Sequence, residues 1–445
     1  MLEVLNTLLW GPGTLTLILG TGAWLTLRTG GFPQRNLGRA LTLSLGREAR
    51  RKGWGGVSPF GSLMTALAST VGTGNIVGVA AALVSGGPGA LVWMELAAFL
   101  GLAAKFAECM LAVKYRHVRR DGSRWGGPMA VMETRLWSAG AVLGRFYALF
   151  ALLMAFAMGA MAQSGALADT FSAAFTLPRW RVGLVTATLA LTILLGGIRR
   201  IADISTVLVP AIALLYLGGG LAVILGNLRR LPEAVTLMLR CAVAPEAALG
   251  GALGIVTRRE ALRWGVARSV FSNEAGLGSA AITAACADTD EPVKQGLISM
   301  TGVFFDTMVI CTVTGLAICC SGTLGTADGA GRPLTGAALT LRAFETVLGP
   351  LAPWLIGVAL GLFAFTSVLG CAVQAETTAS YLLGPEAVRP CRVLYGLAVF
   401  AGAVIPMATV LQLADLANAL MAFPNLVCLL LLSGEIAGEC GRKER

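Results

Sequence analysis

One histidine, His117, is all the imidazole that 445 residues provide, and nothing in the sequence pairs it with a nucleophile. That excludes hydrolysis through a Ser-His or Cys-His couple. His117 sits among Lys114, Arg116 and Arg119, as a loop residue would. Ten cysteines are scattered along the chain without a C-x-x-C, which excludes a zinc site and a disulfide framework. Charge is scarce as well, 13% of residues against about 25% in soluble domains. The net charge of +10 does not point to nucleic acid, because the basic residues flank apolar runs instead of forming one patch with interleaved aromatics. Neither an enzyme, a cofactor nor an obligate protein partner is expected.

What the chain has in abundance is apolar sequence, 56% of its residues, spread over the whole length. At about 20 apolar residues per crossing, about eleven spans are expected. They fall near 4–27, 60–86, 90–113, 146–174, 181–198, 204–226, 243–264, 296–320, 350–383, 390–408 and 411–433. The first is preceded only by Glu3 and has no small-residue cleavage site, so it is read as a retained helix in the lipid bilayer and not a signal peptide. With the N-terminus outside, the inner segments gather Arg47, Arg50, Arg51, Arg116, Arg124, Arg199, Arg200, Arg442 and Lys443, together with Arg258, Arg259, Arg263 and Arg268. Fewer basic residues fall outside, a positive-inside bias that predicts the N-terminus outside and the C-terminus in the cytoplasm.

Within the second span, "STVGTGNIVG" (69–78) holds three glycines, three hydroxyls and an asparagine. The glycine spacing misses the dinucleotide fingerprint, and no strand precedes it. Gly74-x-x-x-Gly78 could serve close helix packing, yet Gly72 and Gly74 lie on different faces and the polar side chains go unexplained. An interrupted helix accounts for more, because unwound backbone at this depth survives only against protein, water or a ligand. The first arm would end near Ala68 to Val71 with carbonyls that suit a small cation. The second would begin near Thr73 to Asn75 with N–H groups that suit a carboxylate. One segment would then cradle both poles of a zwitterion, and the absence of Asp and Glu from 60 to 94 argues against a net cation as ligand. In the span 350–383, Thr366 and Ser367 are adjacent hydroxyls. They can bond back to their own helix, or complete an all-oxygen shell for a hard cation such as sodium.

The stretches "TVGTGNIVGVAAAL" (70–83), "GGPGALVWMELAAFLGLAAKFAE" (86–108), "GGIRRIADIS" (196–205), "GVARSVFSNEAGLGSAAI" (265–282) and "VFFDTMVICT" (303–312) resemble the alanine/glycine:cation symporter family, sodium-coupled amino-acid transporters of bacteria and archaea. The resemblance implies an all-α polytopic membrane protein of the leucine-transporter fold, two inverted five-helix repeats behind one extra N-terminal helix. The divisions expected are 1–52 for the extra helix and its loop, 53–230 for the first repeat and 231–445 for the second, whose broken helix would yield at "ALGGALG" (248–254). It implies a prokaryotic inner membrane, sodium as coupling ion and a small neutral amino acid as substrate, moved by alternating access. A proton-coupled carrier or exchanger on the same fold is the alternative.

By the same resemblance the Ala68 and Val71 carbonyls with the Thr366 and Ser367 hydroxyls would hold sodium. Gly72, Thr73, Gly74 and Asn75 would receive the substrate, and Gln163 would stand near the pocket or make an interhelical hydrogen bond. Where the family usually has G-W-x-Y-Y-G-E, this chain reads Gly370-Cys371-Ala372-Val373-Gln374-Ala375-Glu376, and where it often has G-G-F-A-G, this chain reads Gly250-Gly251-Ala252-Leu253-Gly254. Cys371 and Ala252 both remove bulk, so a larger side-chain pocket is expected. Lys105 and Glu108 are placed to pair on one helix face, in a structural role or in ion coupling. Asp306 is an intramembrane acid and a functional candidate. Residues 271–280 are expected near the inner surface, with Asn273 and Glu274 capping a short helix or serving a gate.

Overall fold

In hydrocarbon only a closed hydrogen-bond ladder satisfies the backbone, so long apolar runs become helices. The computed structural model of the chain describes residues 9–51, 56–118, 122–243, 246–248, 255–327 and 331–444. The first run gives α1 (Pro12–Arg28). The second gives two arms, α2 (Pro59–Thr70) and α3 (Val79–Gly86), joined through a π-helical turn at Gly74–Gly78 and bent by 53°. α4 (Gly89–Lys114) follows unbroken, then a short hairpin of β1 (His117–Val118) and β2 (Arg124–Trp125) in which His117 stacks on Trp125. α5 (Gly140–Met154) passes through a π-helical stretch, Ala155–Ala162, into α6 (Gln163–Phe175). α7 (Arg179–Leu194) and α8 (Gly197–Gly226) come next. Among the described residues, seven helical stretches are long and apolar enough to cross a membrane, and the bent pair makes an eighth.

Residues 243–264 depart from the hydropathy reading and do not form one span. α9 (Leu231–Val243) ends, β3 (Glu246–Ala248) pairs antiparallel with β4 (Ile255–Thr257), and α10 begins at Arg258 and runs Arg258–Asn273. A capping box sets that start: Glu260 N–H donates to Thr257 Oγ1, and Thr257 N–H donates to Glu260 Oε2. Residues 249–254, and Ala252 with them, lie outside the described residues. The interruption that the structure does describe comes later, at 274–278, where Glu274, Gly276 and Gly278 adopt left-handed φ of 53°, 85° and 80° before α11 (Ser279–Ala285). Asn273 and Glu274 therefore close α10 and do not cap the start of the short helix, whose N-cap is Gly278.

Contacts pair α2 with α11 and α3 with α10, so the two broken helices run past each other in opposite directions, and α10 and α11 both rest on α4. The approach is tight: a Cβ at Gly265 would lie 2.3 Å from Ala90 O, and one at Gly86 would lie 2.9 Å from Trp264 Cβ. At the far end of α2, Asp288 N–H donates to Val57 O at 2.7 Å, which ties the beginning of α2 to the segment after α11. Arg258, Arg259 and Arg263, with Arg268 farther along α10, thus lie toward the Gly86 end of the bundle. They are not at the Val57 end with Arg116 and Arg124, where the charge pattern places them. The remaining core elements are α12 (Pro292–Val303), a π-helical stretch at Phe304–Cys311, α13 (Thr312–Ser321), α14 (Ala352–Leu383), α15 (Val388–Val404), α16 (Met407–Leu431) and a final α17 (Ser433–Glu444).

Candidate binding site at the helix break

The first arm stops where its hydroxyls compete for the ladder: Ser69 and Thr70 both donate to Ala66 O, and Val71 turns extended at ψ 103°. In an unbroken helix Gly72 N–H would close Ala68 O. Here it donates to Asn75 Oδ1 at 2.9 Å. Asn75 N–H, which would close Val71 O, donates to Gly72 O at 3.3 Å. The ladder is therefore open at the Ala68 and Val71 carbonyls, and the first N–H groups of the second arm, at Thr73 and Gly74, start without helical acceptors.

α14 brings Ser367, one of its two adjacent hydroxyls, to this opening. A Cβ at Gly370 would lie 2.5 Å from Ser69 N, so bare backbone at Gly370 lets α14 touch the end of α2. Ser367 Oγ lies 3.4 Å from Val71 O, and a Cβ at Gly72 would lie 2.8 Å from it. Thr366 and Ser367 also donate to Phe363 O, each at 3.0 Å. That back-bond uses a hydroxyl proton and leaves oxygen lone pairs, so it is compatible with coordination of a hard cation. The donor set expected from the sequence, two carbonyls and two hydroxyls, is uncharged and all oxygen, which would suit sodium, and of it the structure brings Ser367 Oγ and Val71 O together.

Facing the same side of Gly72 stands Gln163, whose Oε1 is buried without a hydrogen-bond partner and would lie 3.6 Å from a Cβ at Gly72. Next to it a cavity of about 360 Å³ is lined by Thr73 and Gly74 of the break, Met158, Ala162 and Ala166 beside Gln163, and Arg268 and Phe271 of α10. Arg268 and Phe271 also line a second, smaller cavity with Trp10, Trp264 and Asp415. The Arg268 guanidinium lies over both rings, 5.4 Å from the Trp264 centroid and 5.3 Å from that of Phe271. Hydropathy gave no sign of these α10 residues, because α10 is too polar to register as a span.

Asn75 faces away from the cavity. Its Nδ2 donates to Asp306 Oδ1 at 2.8 Å and to Ser272 Oγ at 3.0 Å, while Ser272 and Thr307 donate to Asp306 Oδ2. Asn75 thus ties the first break to α10 and to the π-helical stretch that carries Asp306. Cys371 also stands apart from the cavity lining: a Cβ at Gly159 would meet its Cβ at 2.2 Å, so the α5–α6 backbone occupies the space beside it.

The second break is closed by its own ion pair. Lys105 Nζ donates to Glu274 O at 3.1 Å, at the carbonyl end of α10. Glu108 Oε2 accepts from Gly276 N–H and Gly278 N–H, at the amide end of α11, and from Asn425 Nδ2. The two side chains are 3.5 Å apart and fully buried, cation at the negative pole and anion at the positive pole of opposed helix dipoles.

The profile of the Sodium:alanine symporter family matches residues 1–441. The Sodium/alanine symporter AgcS of Methanococcus maripaludis is 40% identical over 444 residues, 99% of this chain and 96% of that protein. The Probable sodium/glutamine symporter GlnT of Bacillus subtilis is 36% identical over 440 residues, 97% of this chain and 87% of that protein. Among solved structures, MhsT in complex with L-phenylalanine matches with a TM-score of 0.60 at 14% identity, over 85% of this chain and 90% of that one. A Na⁺-coupled sialic acid symporter matches with a TM-score of 0.51 at 13% identity, over 97% and 86%. These likenesses establish an all-α leucine-transporter-like fold, and the sequence relatives go further: the chain belongs to the sodium:alanine symporter family.

Proposed function

We propose that the protein is a symporter that uses a sodium gradient to move a small neutral amino acid across a prokaryotic inner membrane. The observation that carries this reading is the meeting of the Ser367 hydroxyl with the carbonyl released at Val71. Sodium sits among the Ala68 and Val71 carbonyls and the Thr366 and Ser367 hydroxyls. The substrate carboxylate lies at the N–H groups of Thr73 and Gly74, beside Gly72 whose own N–H is held by Asn75 Oδ1, with the orphaned Gln163 Oε1 accepting from the substrate's ammonium group. Asn75 supports the break from behind through Ser272 and Asp306. Cation and carboxylate then hold opposite sides of one unwound segment, and each ligand stabilises the shape the other needs. Such coupling is a difference in affinity between conformers. Acceptance of neutral amino acids larger than alanine is supported by the cavity of about 360 Å³ more than by Cys371, which packs on Gly159. The N-terminus is outside and the C-terminus cytoplasmic, since Arg116, Arg124, Arg135 and Lys443 gather with α17 at the Val57 end. The division into 1–52, 53–230 and 231–445 follows the same plan.

Uptake of labelled alanine, glycine and glutamine into proteoliposomes tests this reading. An inward sodium gradient is expected to drive accumulation of at least one of them, and replacing sodium by choline is expected to abolish it. Accumulation that follows a proton gradient and ignores sodium would overturn the reading in favour of a proton-coupled carrier.

A further inference from the structure

We propose that the crevice walled by α6, α7, α8 and α14 binds one anionic phospholipid, its phosphate held by Arg181 and its acyl chains laid along the crevice. The crevice encloses about 690 Å³ and is lined almost wholly by apolar atoms, those of Leu167, Phe171, Val185, Leu189 and Phe365 among them. The one hydroxyl in its lining, on Thr186, is spent on Val182 O at 2.8 Å, so its interior gives water nothing to bond to. Val185 and Leu189 are 58% and 52% exposed, which puts the mouth on the outside of the bundle. Its depth comes from one glycine: a Cβ at Gly361 would lie 2.7 Å from the Phe171 ring, which therefore seats on bare backbone of α14.

The polar end of the crevice fixes the class of occupant. Arg181 lines the rim, and its guanidinium lies 5.4 Å from the centroid of the half-exposed Trp180. The adjacent Arg179 is committed to Asp169 at 2.7 Å and to Ala403 O at 2.9 Å. Among the described residues no carboxylate is paired with Arg181. An apolar trough with a snorkelling guanidinium and an indole at one end matches an amphiphile with an anionic phosphate head, which the surrounding bilayer supplies. The planar fork of arginine suits phosphate oxygens. The inference does not depend on the transport reading. It does put lipid on the far side of α6 and α14, whose Ala166, Thr170 and Leu360 line the cavity beside the first break.

The test is to reconstitute the full chain with phosphatidylglycerol and phosphatidylethanolamine of identical acyl chains, extract it gently and count retained lipids by native mass spectrometry. Wild-type protein is expected to retain phosphatidylglycerol preferentially. Arg181→Gln is expected to weaken that retention about fivefold, the effect of one basic residue at an anionic surface, and Arg181→Lys to keep most of it. Val185→Trp, at an exposed position, is expected to fill the trough and reduce both lipids alike. Equal retention of the two lipids by wild type, no change in Arg181→Gln, or cross-linking of the crevice to a second copy of the chain would each overturn the proposal.

Discussion

Ser367 Oγ has three neighbours that define its work: Val71 O at 3.4 Å, Phe363 O at 3.0 Å and the space above Gly72, where a methyl group would crowd it at 2.8 Å. A side chain that served only to bond back to its helix could be replaced by alanine at little cost, since the Phe363 carbonyl keeps its helical N–H. A side chain that lends an oxygen to sodium could not. Ser367→Ala is therefore expected to raise the sodium concentration for half-maximal uptake by about tenfold or more, since a bond to a charged partner is worth about 1.5–3 kcal/mol. The substitution removes one oxygen and adds no bulk, so thermal stability in detergent without sodium should stay near wild type. An unchanged sodium dependence would remove Ser367 from the cation shell.

At the scale of elements, the two breaks solve one electrostatic problem in different ways. The first leaves the Ala68 and Val71 carbonyls and the Thr73 and Gly74 amides without helical partners, whereas the second meets its poles with Lys105 and Glu108 of α4. Glu108→Gln would leave Lys105 charged and buried without its anion, a loss of about 3–5 kcal/mol for a broken buried pair. Its melting temperature in detergent is expected to fall well below wild type. Lys105→Gln combined with Glu108→Gln removes both charges yet keeps a donor for Glu274 O and an acceptor for the Gly276 and Gly278 amides, and is expected to recover part of the loss. Additive loss in the double variant would show that the pair does not act as a unit. The contrast also explains what was legible in the sequence. The first break was readable because its glycines and hydroxyls interrupt an apolar run locally, and the hydroxyl pair on α14 was readable for the same reason. The sequence points to "ALGGALG" for the second break because α10, with Arg258, Arg259, Glu260, Arg263 and Arg268 in sixteen residues, lacks the hydropathy of a span. Its glycines in "NEAGLG" are intelligible only beside Glu108, which reaches them from about 170 residues away in the chain. Ser272 and Asp306 were likewise invisible as partners of Asn75, because their meeting is a matter of tertiary contact alone.

For the whole molecule, the ties at the Val57 end describe which way the carrier faces. Val57 and Asp288 join the beginning of α2 to the segment after α11 by backbone, Arg116 donates to the carbonyls of Ala287 and Thr289, and Arg124 pairs with Asp288. The cavity at the first break is lined instead by Ala337, Thr170 and Leu411, on segments toward the opposite end. If transport proceeds by the proposed alternating access, the Val57 end has to open, and the hairpin that carries Arg116 and Arg124 then has to release the segment after α11. Loss of the Arg124–Asp288 pair should favour that release by about a factor of ten, the weight of one charge-assisted hydrogen bond of about 1.5 kcal/mol. A reporter at Ser62, buried in α2 where its hydroxyl donates to Thr283 O of α11, can read the change. In a Ser62→Cys background, Arg124→Gln is expected to speed alkylation at position 62 by a small permeant maleimide about tenfold. Protein that keeps Ser62 corrects for the native cysteines. Sodium, at the site proposed where α2 meets α14, is expected to slow the reaction again by drawing the population back to the form closed at the Val57 end. Equal alkylation rates with and without Arg124 would mean that this hairpin braces the fold and does not hold the gate.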